Sequence, residues 1–165
     1  MNKLITILGP TATGKTTLAA NLALRLDGEI ISADSRQIYT GMDIGTGKDL
    51  SDYVVDGRQI PVHLIDIAKP GTRYNVFEFL GDFSNAFNKI INDEKLPILC
   101  GGSGMYLDAV VSGYKMGKVH VNDELRSKLS GLSHDELVTK LSSFGALHNV
   151  SDTLDQERLI RSIEI

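Results

Sequence analysis

The stretch GPTATGKTTLAANLALRL, residues 9–26, decides the fold of this chain. Its first eight residues match the pattern G-x-x-x-x-G-K-[ST], and they follow the short apolar run LITIL at 4–8. The remainder has helical spacing, with Leu18, Leu22 and Leu26 on one face and alanines beside them. A strand, a glycine-rich turn and a helix in this order predict a phosphate-binding loop.

The predicted loop has the chemistry of an anion site. Its glycines allow the backbone to curl until several N–H groups face one anion, and the helix N-terminus adds partial positive charge. Lys15 supplies a full charge, and the Thr16 hydroxyl is placed to bind Mg²⁺. Most chains with this pattern hydrolyse or transfer the γ-phosphate of a nucleotide. The phosphate loop consists of Gly9, Pro10, Thr11, Ala12, Thr13, Gly14, Lys15 and Thr16.

Short apolar runs alternate with helical patterns over residues 1–113. This alternation predicts an α/β unit with a P-loop NTPase-like, mostly parallel sheet flanked by helices. The glycine- and aspartate-rich stretch 40–58 is interpreted as a loop or irregular segment. The predicted strands are 4–8, 29–33, 60–67 and 96–100, and the predicted helices are 15–26 (with Gly28 as its C-terminal cap), one from Asn75 to about Asp93, and 104–112.

The pattern changes after Gly113, where a small helical extension begins. Residues 114–152 are predicted to form a helical insert with short helices at 122–130 and 134–144. Residues 153–165 are predicted to start a helix that returns to the core, capped at Thr153. Because LIRSIEI stops in mid-pattern, we expect either a helix that ends free or, preferably, a piece of a longer chain.

Composition narrows the class of protein. The net charge is −4, which weighs against a nucleic-acid substrate, and 42% of residues are hydrophobic. No apolar run approaches the roughly 20 residues that span a bilayer, so no membrane partner is expected. The single cysteine, Cys100, is interpreted as a small buried strand residue; it excludes an internal disulfide and fits a reducing, cytoplasmic setting. The four histidines show no metal-ligand spacing.

Further candidate residues follow the predicted strands. Asp34 comes directly after the second strand, at the sheet edge where ligands bind, and its carboxylate suits taking a proton or holding Mg²⁺ through water. A turn or cap aspartate is the alternative. Gly101–Gly104 follows the fourth strand at the same edge and permits close backbone approach to a ligand. That strand lacks the terminal acidic residue typical of an ATPase, for which Asp66 is a possible substitute.

Two arginines on the last predicted helix share a face. Arg158 and Arg161 are three residues apart, a spacing that suits a bidentate phosphate clamp. The alternative is a solvated basic face paired with Asp155, Glu157 or Glu164.

Several colinear stretches together resemble one family, the tRNA dimethylallyltransferases (tRNA isopentenyltransferases). The resemblance covers nearly the whole chain, and the combination of the phosphate loop, SADSRQIY and GG-x-G-x-YL is highly specific. The departures are GTGKD for the usual GTAKP, PVH for PHH, and a length well short of the family's. The matching stretches are GPTATGKT (9–16), GEIISADSRQIYTGMDIGTGK (28–48), HLIDI (63–67), LPILCGGSGMYLDAVVSG (96–113) and RLIRSIEI (158–165).

The resemblance implies transfer of a dimethylallyl group from dimethylallyl diphosphate to N6 of an adenine beside the tRNA anticodon. The phosphate loop would hold the donor's diphosphate rather than ATP, with Mg²⁺ near Thr16 as cofactor. Thr11 and Lys15 would act on the diphosphate, and Asp34 would be the general base. No water needs activating, which explains the missing ATPase carboxylate.

By the same resemblance, tRNA is the partner, and residues of the helical insert contact RNA. We also expect the protein to be a cytoplasmic monomer. Ser103 stands where the family has a threonine. Whether so short a chain is active stays open. The residues implied in tRNA binding are Asp34, Ser35, Arg36, Gln37, Ser103, Arg126, Glu157, Arg158, Leu159, Ile160 and Arg161.

Three alternatives remain. An adenylate isopentenyltransferase would use the same loop and aspartate on free AMP, ADP or ATP. A P-loop small-molecule kinase would bind ATP at the loop, but no acceptor site for its γ-phosphate is apparent. A truncated binding module would hold diphosphate or RNA without turnover.

Overall fold

The computed structural model describes residues 3–117, 119–145, 153 and 155–165. The chain forms two compact units, one ending at Met116 and one running from Gly117 to Ile165. No helix in the described ranges has the length and apolarity that crossing a bilayer demands. The N-terminal unit contains β1 (Ile5–Leu8), α1 (Lys15–Leu26), β2 (Gly28–Ser32), a 3₁₀ helix (Leu50–Tyr53), β3 (Val54–Val55), β4 (Arg58–Gln59), β5 (Val62–His63), α2 (Val76–Asn92), β6 (Leu96–Gly101) and α3 (Gly104–Val111).

A four-stranded parallel sheet lies at the centre of the N-terminal unit, in the order β1-β6-β2-β5. The central strands β2 and β6 are almost wholly buried, as expected for a parallel sheet covered on both faces. The strands β3 and β4 form a separate antiparallel hairpin. The predicted P-loop NTPase-like, mostly parallel α/β fold is confirmed.

The third predicted strand is much shorter than expected. Only Val62 and His63 pair with β2, because Leu64 and Asp66 have φ of 65° and 56°, a left-handed backbone that cannot continue a strand. The segment 66–68 instead bonds to 37–40, with Ile67 N–H donating to the Ile38 carbonyl at 2.8 Å. The predicted irregular segment 40–58 contains the 3₁₀ helix and the β3–β4 hairpin.

Helix α1 begins and ends where the sequence predicts, but its leucines are not its buried residues. Leu18 is 53% exposed and Leu26 is 47% exposed, whereas Ala19, Ala20 and Ala23 are buried against the sheet. The helix ends at Asp27, whose φ of 50° supplies the left-handed cap that the sequence predicts for Gly28. The alanine face allows the helix axis to approach the sheet closely.

Helix α2 opens with the predicted capping box, in which Asn75 and Glu78 each bond the other's backbone N–H. Its aromatic residues divide between core and surface. Phe79 is fully buried and its ring stacks on Tyr106 at 4.1 Å between centroids. Phe77, in contrast, is 37% exposed.

The C-terminal unit contains α4 (Asp123–Ser130), α5 (His134–Ser142) and α6 (Gln156–Glu164). Its core consists of Leu129, Leu137 and Leu159, one from each helix. The cap of the last helix is Asp155, not the predicted Thr153, because the Asp155 side chain accepts the Glu157 N–H. Part of the predicted insert, 146–152, lies outside the described residues.

Candidate functional site: a phosphate-loop cavity

A cavity of about 200 Å³ lies at the carboxyl ends of the parallel strands. The edge of the sheet, where strand ends and helix N-termini meet, is where α/β proteins bind their ligands. Two regions that the sequence singles out, the phosphate loop and Asp34, line this one cavity. Its lining residues are Thr11–Thr17, Asp34, Gln37, Thr46, Gly47, Asp52, Tyr53 and Cys100–Gly102.

The phosphate loop presents backbone donors and a cation to the cavity. Gly14 has φ of +78° and begins α1 without a side-chain cap, so the first N–H groups of the helix remain available to a ligand. The Lys15 ammonium lies over its own loop, where it donates to the Pro10 carbonyl and lies 3.5 Å from the Thr13 hydroxyl. Free helix N–H groups with a lysine above them form an anion site.

Asp34 lies just beyond β2, with its side chain 16% exposed. One carboxylate oxygen accepts the Arg36 N–H at 3.0 Å, and Arg36 Nε lies 3.9 Å from the same oxygen. The turn interpretation and the site interpretation of Asp34 are therefore both compatible with this geometry. One oxygen fixes the local turn, and a carboxylate has further lone pairs for a ligand.

Ser35 and Ser103, 68 residues apart, meet beside Asp34. The Ser103 hydroxyl accepts the Ser35 N–H at 2.9 Å and donates to the Ser35 hydroxyl at 3.1 Å. The close approach depends on Gly101, where an added Cβ would lie 2.1 Å from the Ala33 carbonyl oxygen. Three of the residues implied in tRNA binding are thus brought together at this edge.

Gln37 also lines the cavity, but its amide is engaged within the protein. The Gln37 side-chain oxygen accepts from Ser32 Oγ at 3.2 Å, and its nitrogen donates to the Gly47 carbonyl at 3.2 Å. The residue is 8% exposed. The geometry gives Gln37 a role in holding the segment around Gly47 against β2, whereas contact with a base stays a prediction.

Asp66 is not a substitute for the missing ATPase carboxylate. It pairs with the buried ammonium of Lys48, which also binds Asp43 at 2.6 Å and the Tyr39 carbonyl at 3.1 Å. Burial lowers the pKa of Lys48, but the bonds and charges of the two aspartates outweigh it and raise the pKa above its ordinary value. Asp66 therefore anchors a loop instead of facing the phosphate cavity.

Tyr53 and Asp52 also line the cavity, although neither belongs to a sequence motif. Tyr53 is 5% exposed, and its phenol adjoins the Thr16 side chain. Burial raises the pKa of Tyr53 above its ordinary value, so the phenol keeps its proton at neutral pH. The available signal was weak: Tyr53 is the one aromatic residue between 40 and 58.

Cys100 forms part of the cavity wall and is 7% exposed. Burial raises the pKa of its thiol to about 11, against a smaller lowering by Lys15. The thiol is therefore protonated at neutral pH and is not a nucleophile. The expectation of a small buried strand residue is confirmed.

The cavity suits a magnesium ion that arrives with a phosphate. The Thr16 hydroxyl and the carboxylates of Asp34 and Asp52 line it, and oxygen donors are what Mg²⁺ prefers. In the described part of the chain, His, Cys, Asp and Glu form no cluster of three that would cage a metal. Because Mg²⁺ usually takes one or two protein ligands and completes its shell with water and phosphate oxygens, the residues fit it.

In the C-terminal unit, two arginines implied in RNA binding are held by Glu164. Arg126 donates to both of its oxygens, at 3.1 and 2.9 Å, and Arg161 donates to the same carboxylate. The Glu164 side chain is 1% exposed. Hydrogen bonds from Arg126, the Asn122 N–H and Arg161 lower the pKa of Glu164 to about 2. The paired alternative for Arg161 is therefore the arrangement present here.

The other residues of α6 that the resemblance implies in tRNA binding differ in how far they are exposed to solvent. Leu159 is fully buried among the helices, and its contact with RNA stays a prediction. Ile160 is half-buried against the same core. Glu157 and Arg158 are exposed on α6.

Two protein-family models match the chain. A model of the IPP transferase family matches residues 37–165, and a model described as isopentenyl transferase matches residues 2–68. The tRNA dimethylallyltransferase 1 of Parabacteroides distasonis is 60% identical over 163 residues, which are 99% of this chain and 53% of that protein. The tRNA dimethylallyltransferase 2 of Phocaeicola vulgatus is 59% identical, over 98% of this chain and 53% of that protein.

Two solved structures are also similar. A full-length tRNA isopentenylpyrophosphate transferase from Bacillus halodurans has a TM-score of 0.66 and 35% identity, covering 99% of this chain and 55% of that one. A eukaryotic dimethylallyltransferase acting on tRNA has a TM-score of 0.80 and 25% identity, covering 99% of this chain and 41% of that one. The chain spans about half the length of the curated relatives it matches. With a family model matching most of its residues, this chain belongs to the IPP transferase family.

Proposed function

We propose that the protein transfers a dimethylallyl group from dimethylallyl diphosphate to N6 of an adenine next to the anticodon in tRNA, releasing diphosphate. One observation carries the proposal: the phosphate loop and Asp34 line the same cavity. Support comes from relatives named tRNA dimethylallyltransferases. The proposal concerns the chemical centre, since the chain spans about half of those relatives.

The donor's diphosphate binds the phosphate loop. The N–H groups of Thr11–Thr16 and the Lys15 ammonium face its oxygens, and negative charge grows there as the C1–O bond breaks. Stabilising that charge lowers the barrier because the diphosphate is the leaving group. The Thr16 hydroxyl would hold Mg²⁺, which would supply positive charge against the diphosphate.

The acceptor adenine enters beside Asp34. The N6 lone pair forms the new bond to C1, the C1–O electrons leave with the diphosphate, and the N6 proton passes to the Asp34 carboxylate. The adenine leaves its stack to reach the cavity, as base-modifying enzymes require. Ser35 and Ser103 lie where they would border the flipped base.

The remaining assignments belong to the same proposal. We infer that Arg36 and the C-terminal helices 117–165 contact RNA, and that Arg158, exposed on α6, contributes a cation to that contact. We infer further that the protein acts as a cytoplasmic monomer. A single, buried free cysteine is compatible with a reducing compartment.

Calorimetry with Mg²⁺ tests the donor assignment. Dimethylallyl diphosphate is expected to bind more tightly than ATP, and Lys15→Ala is expected to lose at least tenfold in affinity because a cation facing a phosphate is removed. Lys95→Ala is the matched control, since Lys95 pairs with Asp27 away from the cavity. Tight ATP binding without affinity for the prenyl donor would overturn the proposal in favour of a kinase.

A transfer assay then separates the two prenyl acceptors. The protein is incubated with prenyl donor and either unmodified tRNA or AMP. The products are digested, and their masses are measured by mass spectrometry. Prenylated adenine from tRNA alone supports the proposal. Product from AMP alone would identify an adenylate isopentenyltransferase instead, and donor binding without either product would indicate a binding module.

A further inference from the structure

Tyr53 reaches the phosphate cavity from a segment that carries no recognised motif. It is the last residue of the 3₁₀ helix Leu50–Tyr53, and its side chain is almost wholly buried although its phenol lines the cavity. A buried hydroxyl at the wall of an anion site needs partners for both its proton and its lone pairs.

The backbone around Tyr53 is fixed. Asp49 caps the 3₁₀ helix by accepting the Ser51 N–H at 2.9 Å, and the Tyr53 carbonyl accepts the Ile60 N–H at 2.8 Å. The ring packs in the same buried cluster as Ala19 and Ala20 of α1. The small side chains on that face of the helix leave room for the ring, so the phenol is held toward Thr16.

The Tyr53 phenol adjoins the Thr16 side chain, and both residues line the cavity. Because burial raises the pKa of Tyr53, the phenol keeps its proton at neutral pH. A neutral phenol at the wall of the cavity can donate this proton to an anion held by the phosphate loop.

We propose that Tyr53 is a further binding residue of this cavity, whose phenol donates a hydrogen bond to a bound diphosphate oxygen. The identity of the ligand as a diphosphate rests on the proposed function. Hydrogen bonds from a neutral donor to a charged acceptor are among the stronger ones in proteins, so the loss of one is measurable.

Calorimetry with inorganic diphosphate and Mg²⁺ tests the proposal with Tyr53→Phe, which removes one hydroxyl and keeps the ring. Diphosphate affinity is expected to fall about tenfold. Tyr74→Phe is the matched control, because the Tyr74 phenol donates to Asp82 at 2.8 Å outside the cavity. The diphosphate affinity of this variant should equal that of the wild type. Thermal unfolding of both variants checks that each folds.

A second measurement needs no variant. The chain has five tyrosines and no tryptophan, so its near-ultraviolet difference spectrum reports tyrosine environments. Adding diphosphate and Mg²⁺ to the wild type is expected to perturb that spectrum, and the change should be absent from Tyr53→Phe. Unchanged affinity in Tyr53→Phe, or a wild-type spectrum that ignores saturating diphosphate, would overturn the proposal, as would a wild type that does not bind diphosphate.

The use of inorganic diphosphate keeps this result apart from the proposed function. If Tyr53→Phe loses diphosphate affinity while the wild type prefers ATP to the prenyl donor, the proposed reaction fails and the role of Tyr53 stands. If the wild type prefers the prenyl donor to ATP but Tyr53→Phe binds diphosphate normally, the proposed reaction stands and the role of Tyr53 fails.

Discussion

At the scale of single residues, the site depends on one position without a side chain. Gly101 ends β6 where Ala33 leaves β2, and the two backbones approach so closely that an added Cβ would lie 2.1 Å from the Ala33 carbonyl oxygen. Ala33 leads directly into Asp34, and Gly101 leads into Ser103. A glycine is therefore required at position 101 for Ser35 and Ser103 to meet.

Gly101→Ala is expected to destabilise the protein by about 1–3 kcal/mol, since backbone must move to admit the methyl group. Gly102→Ala is the control, because a Cβ there meets its nearest atom, the Gly9 carbonyl oxygen, at an ordinary 3.6 Å. Urea unfolding measures both free energies. Equal stability of the two variants would show that the strands can separate without cost.

Asp34→Asn tests whether Asp34 takes the proton from the acceptor adenine without contributing to binding of the prenyl donor. The amide keeps the shape of the side chain and an oxygen for the Arg36 N–H, but it cannot take a proton. Transfer to tRNA is expected to slow by about 10²–10⁴-fold, as for loss of a general base. Affinity for dimethylallyl diphosphate, measured by calorimetry, should change little, and loss of both together would contradict a role as base.

At the scale of secondary structure, α1 shows how tertiary packing overrides a sequence pattern. A stripe of leucines usually faces a core, but in α1 the alanines face it and Leu18 is half exposed. The alanine face accommodates the neighbouring sheet and the Tyr53 ring.

Because of this packing, we expect Leu18→Ala to cost less stability than Ala20→Leu. Leu18→Ala is expected to change the free energy of unfolding by less than about 0.5 kcal/mol, as at other exposed positions. Ala20→Leu should destabilise by about 1–3 kcal/mol because the site is fully buried and already filled. Denaturant unfolding of both variants is the test. A leucine-faced core would instead make Leu18→Ala cost about 2–5 kcal/mol.

Within the C-terminal unit, α4 and α6 are joined through Glu164. Its carboxylate accepts from Arg126 on α4, from the Asn122 N–H at the start of α4, and from Arg161 on its own helix. The pKa of Glu164 is lowered to about 2 from an ordinary value of 4.5, because each of these bonds favours the charged form.

A lowered pKa makes the ionised state stabilising, so the contribution is complete above about pH 4.5 and is lost as the pH falls toward 2. Glu164→Gln should therefore be less stable than the wild type at pH 7, and the difference should shrink between pH 4.5 and 2. Circular dichroism during urea unfolding at several pH values measures it. Glu124→Gln, at an exposed surface pair, should show no such trend.

At the scale of the whole molecule, the net charge limits how tightly this chain can bind RNA. The chain has a net charge of −4, and Arg126 and Arg161 are paired with Glu164. Tight RNA binding requires an excess of cations against phosphates. The phosphate-loop cavity does not share this limit, because its cation and N–H groups come from one loop.

We therefore expect weak tRNA binding, in the non-specific range of about 10⁻⁴–10⁻⁶ M near physiological salt. Dimethylallyl diphosphate should still bind the cavity. Fluorescence anisotropy of labelled tRNA over a salt series is the measurement, with Arg158→Ala as the variant and Lys95→Ala as the control. Nanomolar affinity would show that the C-terminal helices grip RNA despite their paired arginines.

The phosphate loop, the parallel α/β fold and the place of Asp34 could be predicted because each depends on local chemistry. A loop motif lies within eight residues, and the end of a parallel strand reaches the ligand edge wherever the strand sits in the sheet. The roles of individual residues at that edge stay predictions. The resemblance of colinear motifs to the family is confirmed by the match over residues 37–165.

Other features were decided by contacts between distant residues. The buried face of α1, the place of Tyr53 beside Thr16 and the meeting of Ser35 with Ser103 depend on which segments pack together. Sequence spacing carries no signal for such pairs, because a side chain's partner is set by the folded path of the chain. The sequence by itself determined the anion loop and its parallel sheet; the tertiary structure decided which side chains enclose the cavity.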